Sequence, residues 1–352
     1  MAETAKRTAI ITIVAVAIVV GALALWKLRL VVGLLFSAMI IAAAIRPSID
    51  WLARKRVPRP AGLALHYLVL VGAIAIGLAF AVPAARHQVD HALSPSGKAE
   101  IARATRNSTG VKHQVLAALQ KRLQHLPKRS EIVKPATQIG VKAFEIFIGI
   151  FFTFAAAAYW IFERDKAVDT VCSLLPRPRR KVVRDTWRLI DLRLGAFVRG
   201  QVLLIVAVGI VLSLLFWAIG EPYWILVGSF AGLVEVIPVI GPLVAGALAV
   251  AVGFTASLHV AVLAAICVLG VRLLEDYLVM PKVLGEAVGL SPLLVLVSVT
   301  AIGILFSGWA VLFAVPIAAV VMTLFDVVLR DVDPAEEEVP TVIFSPKEAE
   351  AS

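Results

Sequence analysis

The chain has 352 residues, 60% of them hydrophobic and 16% charged, with a formal net charge of +10. Soluble domains carry roughly 45–50% apolar and about 25% charged residues, so this composition excludes an ordinary soluble core and points to a chain that lives in lipid. The basic residues fall in short segments between apolar runs, which argues against a nucleic-acid surface and for the cytoplasmic flanks of membrane spans.

In chain order, uncharged apolar runs at 9–26 and 30–45 predict a helical hairpin turning around Lys27 and Arg29. Lys6 and Arg7 ahead of a run ending GALALW imitate a secretory signal, but the run is long and a second follows almost at once, so the segment is read as retained. A third run, 61–82, leads into a long hydrophilic stretch, and a fourth, 143–162, leads back to a basic segment ending at Gly200. With the amino terminus in the cytoplasm, the basic loops 46–60 and 163–200 lie inside and the insertion 86–142 lies outside, where a segment of that length is translocated with little regard to its charge.

Within the insertion, Val111, Val115, Ala118, Leu119, Leu123 and Leu126 share one stripe at helical spacing and predict a small amphipathic helical domain. His87 and His91 are spaced i, i+4, with His113 and His125 nearby, but no supporting ligand pattern accompanies them, so no metal is expected. In the following basic segment, Val183, Trp187, Ile190, Leu194 and Phe197 recur at helical spacing while Arg184, Asp185, Arg188, Asp191 and Arg193 take other faces. That helix either lies in the membrane interface or packs on its neighbours, and the pattern does not choose. Cys172 and Cys267 form no closely spaced pair and read as small buried apolar residues.

The stretch EVIPVIGP, 235–242, interrupts sequence that is otherwise almost wholly apolar. Pro238 removes a donor and collides with the carbonyl of Val234, and Pro242 does the same to Pro238, which predicts a broken or re-entrant helix near the bilayer midplane. Glu235 beside the break has no basic residue near it in sequence, so its carboxylate is expected to be free for a proton, a cation or a solute hydroxyl. Further on, Arg272 stands three residues before Glu275 and four before Asp276, close enough on a helix for either acid to neutralise it. That group is either a structural ion pair or a charge cluster that opens and closes with transport.

The pieces FVRGQ, VEVIPVIGPLVAG, LLEDYLVMPKVLGEAVGLSPLLVL and GILFSGWAVLFAVPIAAV, followed by an acidic tail, occur in the order seen in one bacterial family. Over about 197–328 the chain resembles the AI-2E family of permeases, named for members that export the quorum-sensing signal autoinducer-2. The resemblance implies roles for Pro238, Gly241 and Pro242, for Glu275, Pro281 and Gly285, and for Pro292, Gly303, Gly308 and Pro316. It also implies a homo-oligomer, with a pentameric ring as one form, in a bacterial inner membrane. Glu235 and Trp309 depart from the residues common in relatives, which leaves the cargo open.

The expected architecture is therefore all-α and polytopic, with about eight apolar helices. Its parts are amino-terminal spans (1–85), the insertion (86–142), a span with a basic amphipathic segment (143–200), a carboxy-terminal core (201–330) and an acidic disordered cytoplasmic tail (331–352). No phosphate-binding loop or catalytic triad is present in the sequence, so neither a cofactor nor an enzymatic activity is expected. Three functions follow: export of a small polar solute by alternating access, exchange of sodium or lithium for protons on Glu235 or Asp276, and a non-transporting oligomeric scaffold. The partners are the bilayer and a small polar solute or cation. The candidate path residues are Glu235, Pro238, Gly241, Pro242, Glu275, Asp276, Pro281, Gly285 and Pro292, with Arg272 as the ion-pair partner.

Overall fold

The computed structural model describes residues 2–93, 103, 106, 136–237, 240–279, 291–306, 308–337 and 339. Among them there are helices and turns and no strands, as a backbone that must satisfy its own hydrogen bonds in lipid requires. The helices are α1 (Ala2–Lys27), α2 (Arg29–Arg54), α3 (Arg59–Leu93), α4 (Ala136–Ser173), α5 (Arg177–Ala218), α6 (Trp224–Val234), α7 (Ile240–Ala256), α8 (Leu258–Leu274), α9 (Pro292–Leu305) and α10 (Ala314–Leu329). A widened π turn, Glu275–Val279, extends α8, and a 3₁₀ turn, Gly308–Phe313, precedes α10.

Six apolar helical segments are long enough to cross a bilayer: Arg29–Arg54, Arg59–Gly77, Phe144–Ser173, Arg177–Ala218, Leu258–Leu278 and Gly308–Leu329. Four are shorter, Ile11–Lys27, Trp224–Val234, Ile240–Ala256 and Leu293–Leu305. The expected eight lies between six and ten because hydropathy alone cannot tell a full span from a half-length helix. His113, His125 and most of the predicted insertion lie outside the described residues. The backbone of His87 and His91 belongs to α3, whose helix runs on past the apolar stretch to Leu93.

The carboxy-terminal end of α5 is terminated by sequence. Gly220 takes a left-handed φ of 72°, its N–H bonds the carbonyl of Trp217 at 3.2 Å, and the Glu221 N–H bonds that of Phe216 at 2.9 Å. This paired closure satisfies carbonyls that the helix end would leave orphaned. Ser257 and Ser291 cap α8 and α9 by accepting bonds from Val260 and Leu294.

The long helix α5 is the spine, in contact with α2, α4, α6, α8 and α10. Its basic first half is continuous with its apolar second half over 42 residues. The amphipathic segment therefore does not form a separate helix in the membrane plane; it extends α5 and packs on neighbours. Trp187 stacks on Trp160 of α4 with centroids 6.1 Å apart, and Arg164 Nε donates to Asp191 Oδ2 at 2.7 Å. Arg46 of α2 reaches Asp165 of α4 at 2.9 Å, and Arg59 of α3 reaches Asp50 of α2 at 3.2 Å. The Arg46–Asp165 pair joins the two basic loops, which must then lie on one side of the membrane, and the other pairs brace each loop internally. The start of the acidic tail folds back as well, since Arg193 of α5 donates to Thr323 of α10 and to Glu337, both at 2.8 Å.

Buried positions are dominated by small residues. Ala157, Ala196, Ala249, Ala264 and Ala314 are fully buried, whereas Leu68, Phe151, Leu243 and Ile304 point outward. Lipid removes any drive to bury large apolar groups, so helices associate through small residues that let backbones approach. The helices α5 and α6 approach at backbone distance: a Cβ at Gly232 would stand 2.6 Å from Gly209 Cα, and one at Gly228 would overlap Ser213. Gly228 and Gly232 form a GxxxG pair facing Gly209 and Ser213. Gly232→Val is expected to lower stability by about 1–3 kcal/mol in a detergent melt through overpacking. Gly270→Ala, at a helical site with open space, is expected to gain up to about 1 kcal/mol.

Candidate functional site at the corner of α6, α7 and α8

The end of α6 tightens before it stops. Glu235, Val236 and Ile237 each donate to the residue three before, at 3.3, 3.4 and 3.0 Å. The chain resumes as α7 at Ile240, with the Gly241 N–H on the Ile237 carbonyl at 2.8 Å. A Cβ at Gly241 would overlap the Val234 carbonyl, so only glycine lets α7 start this close to the end of α6. Pro242 is in the first turn of α7, where a missing N–H leaves no bond unmade, and it therefore starts a helix rather than breaking one. Pro238, Pro281 and Gly285 lie outside the described residues.

Glu235 is not free. Arg272 reaches from α8 with Nη1 3.4 Å from Glu235 Oε1 and 3.2 Å from Glu275 Oε2, and with Nη2 3.0 Å from Asp276 Oδ1. The expectation of an unpaired Glu235 fails because the partner is 37 residues away in sequence and arrives only when α8 packs beside the corner. Glu275 and Asp276 open the π turn and stand three and four residues after Arg272, the spacing that brings helical side chains together. Glu235 and Glu275 are 5% and 3% exposed, whereas Asp276 is exposed. One guanidinium thus faces three carboxyls, and with all three ionised the group would carry an excess of two negative charges. Exposed Asp276 is left to solvent, and one proton or one monovalent cation balances the single negative charge that remains between Arg272 and the two buried acids.

The motif FVRGQ explains itself here. Gln201 Nε2 donates to the Glu235 carbonyl at 2.9 Å, taking one of the carbonyls that the end of α6 leaves without an intrahelical donor. Arg199 Nη1 donates to the carbonyls of Ala43 and Ala44 in α2 at 3.5 and 3.2 Å. Pro47 inside α2 deprives Ala43 of its helical donor, and Gly195 lets that carbonyl approach α5 so closely that a Cβ would overlap it. Two polar side chains two residues apart therefore hold two helix interruptions to one spine. Gln201 opens the uncharged half of α5, so the corner lies level with the start of that half rather than with its middle.

The other family-type residues sit elsewhere. Pro292 is the first residue of α9 after its Ser291 cap, Gly303 faces Val311 of the 3₁₀ turn, and Pro316 is buried in α10. Trp309 packs over Gly33 of α2 and edge-on to Phe313. Sequence reasoning missed Gln201, Arg199 and the α5–α6 glycines. The GxxxG spacing at 228 and 232 was the available signal for the last of these.

Half-length helices meeting at a buried charge cluster, inside a bundle of apolar spans, define a polytopic helical membrane protein of the transporter class. A model of the AI-2E family transporter matches residues 12–330, and the chain belongs to that family. It is 25% identical over 317 residues to "Putative transport protein YrrI" of Bacillus subtilis (strain 168), covering 86% of this chain and 88% of the relative. It is 31% identical over 137 residues to "Putative transport protein YueF" of the same organism, covering 39% and 37% of the two chains.

The unequal charge count fixes an order of mutational cost. Arg272→Gln leaves three carboxyls without a cation and is expected to cost about 3–5 kcal/mol, the range for stranding buried charge. Glu275→Gln leaves Arg272 with two partners and is expected to cost far less. Thermal melts of the two purified variants in one detergent give the comparison.

Proposed function

We propose that this protein is a permease, not an enzyme, that moves a small polar solute or cation across a bacterial plasma membrane by alternating access around the α6–α7 corner. The observation that carries the reading is the single Arg272 shared by three acids where two half-length helices meet. Intramembrane ionisable groups are costly and mark substrate or ion pathways, and backbone interruptions at depth line such pathways in transporters. In this reading Arg272 clamps Glu235 of the corner to Glu275 and Asp276 of α8, and a ligand that competes for either partner releases the clamp. Gly241 sets the interruption, and the family resemblance extends a role in the same path to Pro238, Pro281, Gly285 and Pro292. Autoinducer-2 is one candidate cargo by family.

The two basic loops, joined by Arg46–Asp165, are taken as cytoplasmic by the positive-inside rule, with the amino terminus on the same side. The insertion then faces outward, and the assembly is a homo-oligomer. A second reading, exchange of sodium or lithium for protons, is favoured by the acid excess, since a site that must hold either a proton or a cation is the minimum an antiporter needs.

Proteoliposomes separate the readings. Solute counterflow across a panel of small polar compounds, without proton release on adding sodium, supports the permease; sodium-driven proton release supports the antiporter. Glu235→Gln is expected to remain folded while flattening the pH dependence of whichever flux is found, because the amide keeps shape but cannot ionise. Absence of both fluxes, or wild-type pH dependence in Glu235→Gln, contradicts a transport role for the corner and leaves the scaffold.

A further inference from the structure

The helix α6 has a second buried acid at its other end. Glu221 lies in the turn between α5 and α6, outside both helices, and is 2% exposed. Both of its carboxyl oxygens are buried, and neither has a hydrogen-bond partner among the described residues. The backbone holds it there: the Gly220 closure of α5 fixes the Glu221 N–H on the Phe216 carbonyl, and Tyr223 at a left-handed φ of 58° turns the chain into α6. The side chain points at the corner between α7 and α8. An added Cβ at Gly253 would stand 3.1 Å from Glu221 Oε2 and 2.8 Å from Ala261 Cα, so the carboxyl lies beside the point where α7 and α8 meet and Gly253 leaves no room for a side chain there.

Among the described residues the surroundings offer no counter-charge. The last turn of α5, the whole of α6 and the whole of α7 carry no ionisable side chain. Tyr223 belongs to the turn itself, His259 in the first turn of α8 is exposed, and the Cys267 thiol further along α8 lies within electrostatic reach. Arg272 is at the opposite end of α6, which at 11 residues is about 16 Å long. A carboxylate in such a place would have lost its water and gained neither a donor nor a cation, whereas the neutral acid loses far less.

We propose that Glu221 is a protonation site whose carboxyl is kept neutral while the α5–α6 turn is closed against the α7–α8 corner, and which gives its proton to water when the two part. Burial alone pushes the carboxyl up from 4.5 to about 8. Because α6 is rigid between Glu221 and Glu235, parting at one end is sensed at the other, and alkaline conditions favour the open form. The site stands independently of the cargo and of whether the Arg272 cluster conducts.

The sign of the test follows from linkage. An acid whose folded pKa is raised costs the folded state increasingly as pH climbs from 4.5 to about 8, because only the unfolded chain ionises there, and the cost stops growing above that. Melting temperatures of wild type and Glu221→Gln in detergent should therefore nearly coincide at about pH 4.5, diverge in favour of the variant up to about pH 8, and run parallel beyond it. Glu221→Leu, which is apolar and of similar size, is measured the same way and replaces the amide if that variant does not fold. Infrared spectra at neutral pH should carry a neutral-carboxyl band that either variant loses. A pH-independent offset, a wild type that gains on the variants as pH rises, or a band unchanged by substitution would overturn the proposal.

Discussion

One guanidinium facing three carboxyls sets the terms for the carboxy-terminal half of this protein. Arg272 draws together the end of α6, the last turn of α8 and the π turn beyond it, and these elements are otherwise lined by alanine, glycine and aliphatic residues with nothing specific to say about register. Packing among small residues sets how close the helices come, while the charge cluster sets where along their lengths they stop. Buried ions are poor sources of net stability but good sources of uniqueness when every alternative strands a charge. Here the alternatives strand Glu235 or Glu275, each nearly inaccessible.

The helix α5 supplies the fixed frame for that cluster. Its glycine and serine accept α6 at backbone distance, Gln201 holds the carbonyl of Glu235, and Arg199 holds the carbonyls that Pro47 releases in α2. Interruptions in the two halves of the protein are thus referred to the same turn of one helix. The ion pairs among α2, α3, α4 and α5 continue this frame beyond the apolar region. A movable corner next to an over-determined spine is the division of labour that alternating access needs.

Much of this was legible in the sequence, and the limits were physical. Apolar runs gave the all-α class because lipid permits little else, and Arg272 with Glu275 and Asp276 was readable because helical spacing makes neighbours of residues three and four apart. Glu235 was found by its cost in an apolar run, but its pairing was hidden, since contact across 37 residues depends on how α8 packs and no local pattern encodes that. The proline rule misjudged Pro242 because the same residue that breaks a helix interior is neutral in a first turn. The basic amphipathic segment was read correctly as a helix and remained ambiguous as to partner, as a hydrophobic face always is until Trp160 and Arg164 are placed against it.

The central claim is that Arg272 joins the α6–α7 corner to α8 through Glu235. A double-mutant cycle on stability in detergent tests it most directly, using Arg272→Gln, Glu235→Gln and the pair. Contacting residues in one charge network couple by about 0.5–3 kcal/mol, and the account predicts a value in that range, with the double variant less damaged than the sum of the singles. Additivity within about 0.3–0.5 kcal/mol, the behaviour of independent sites, would contradict it.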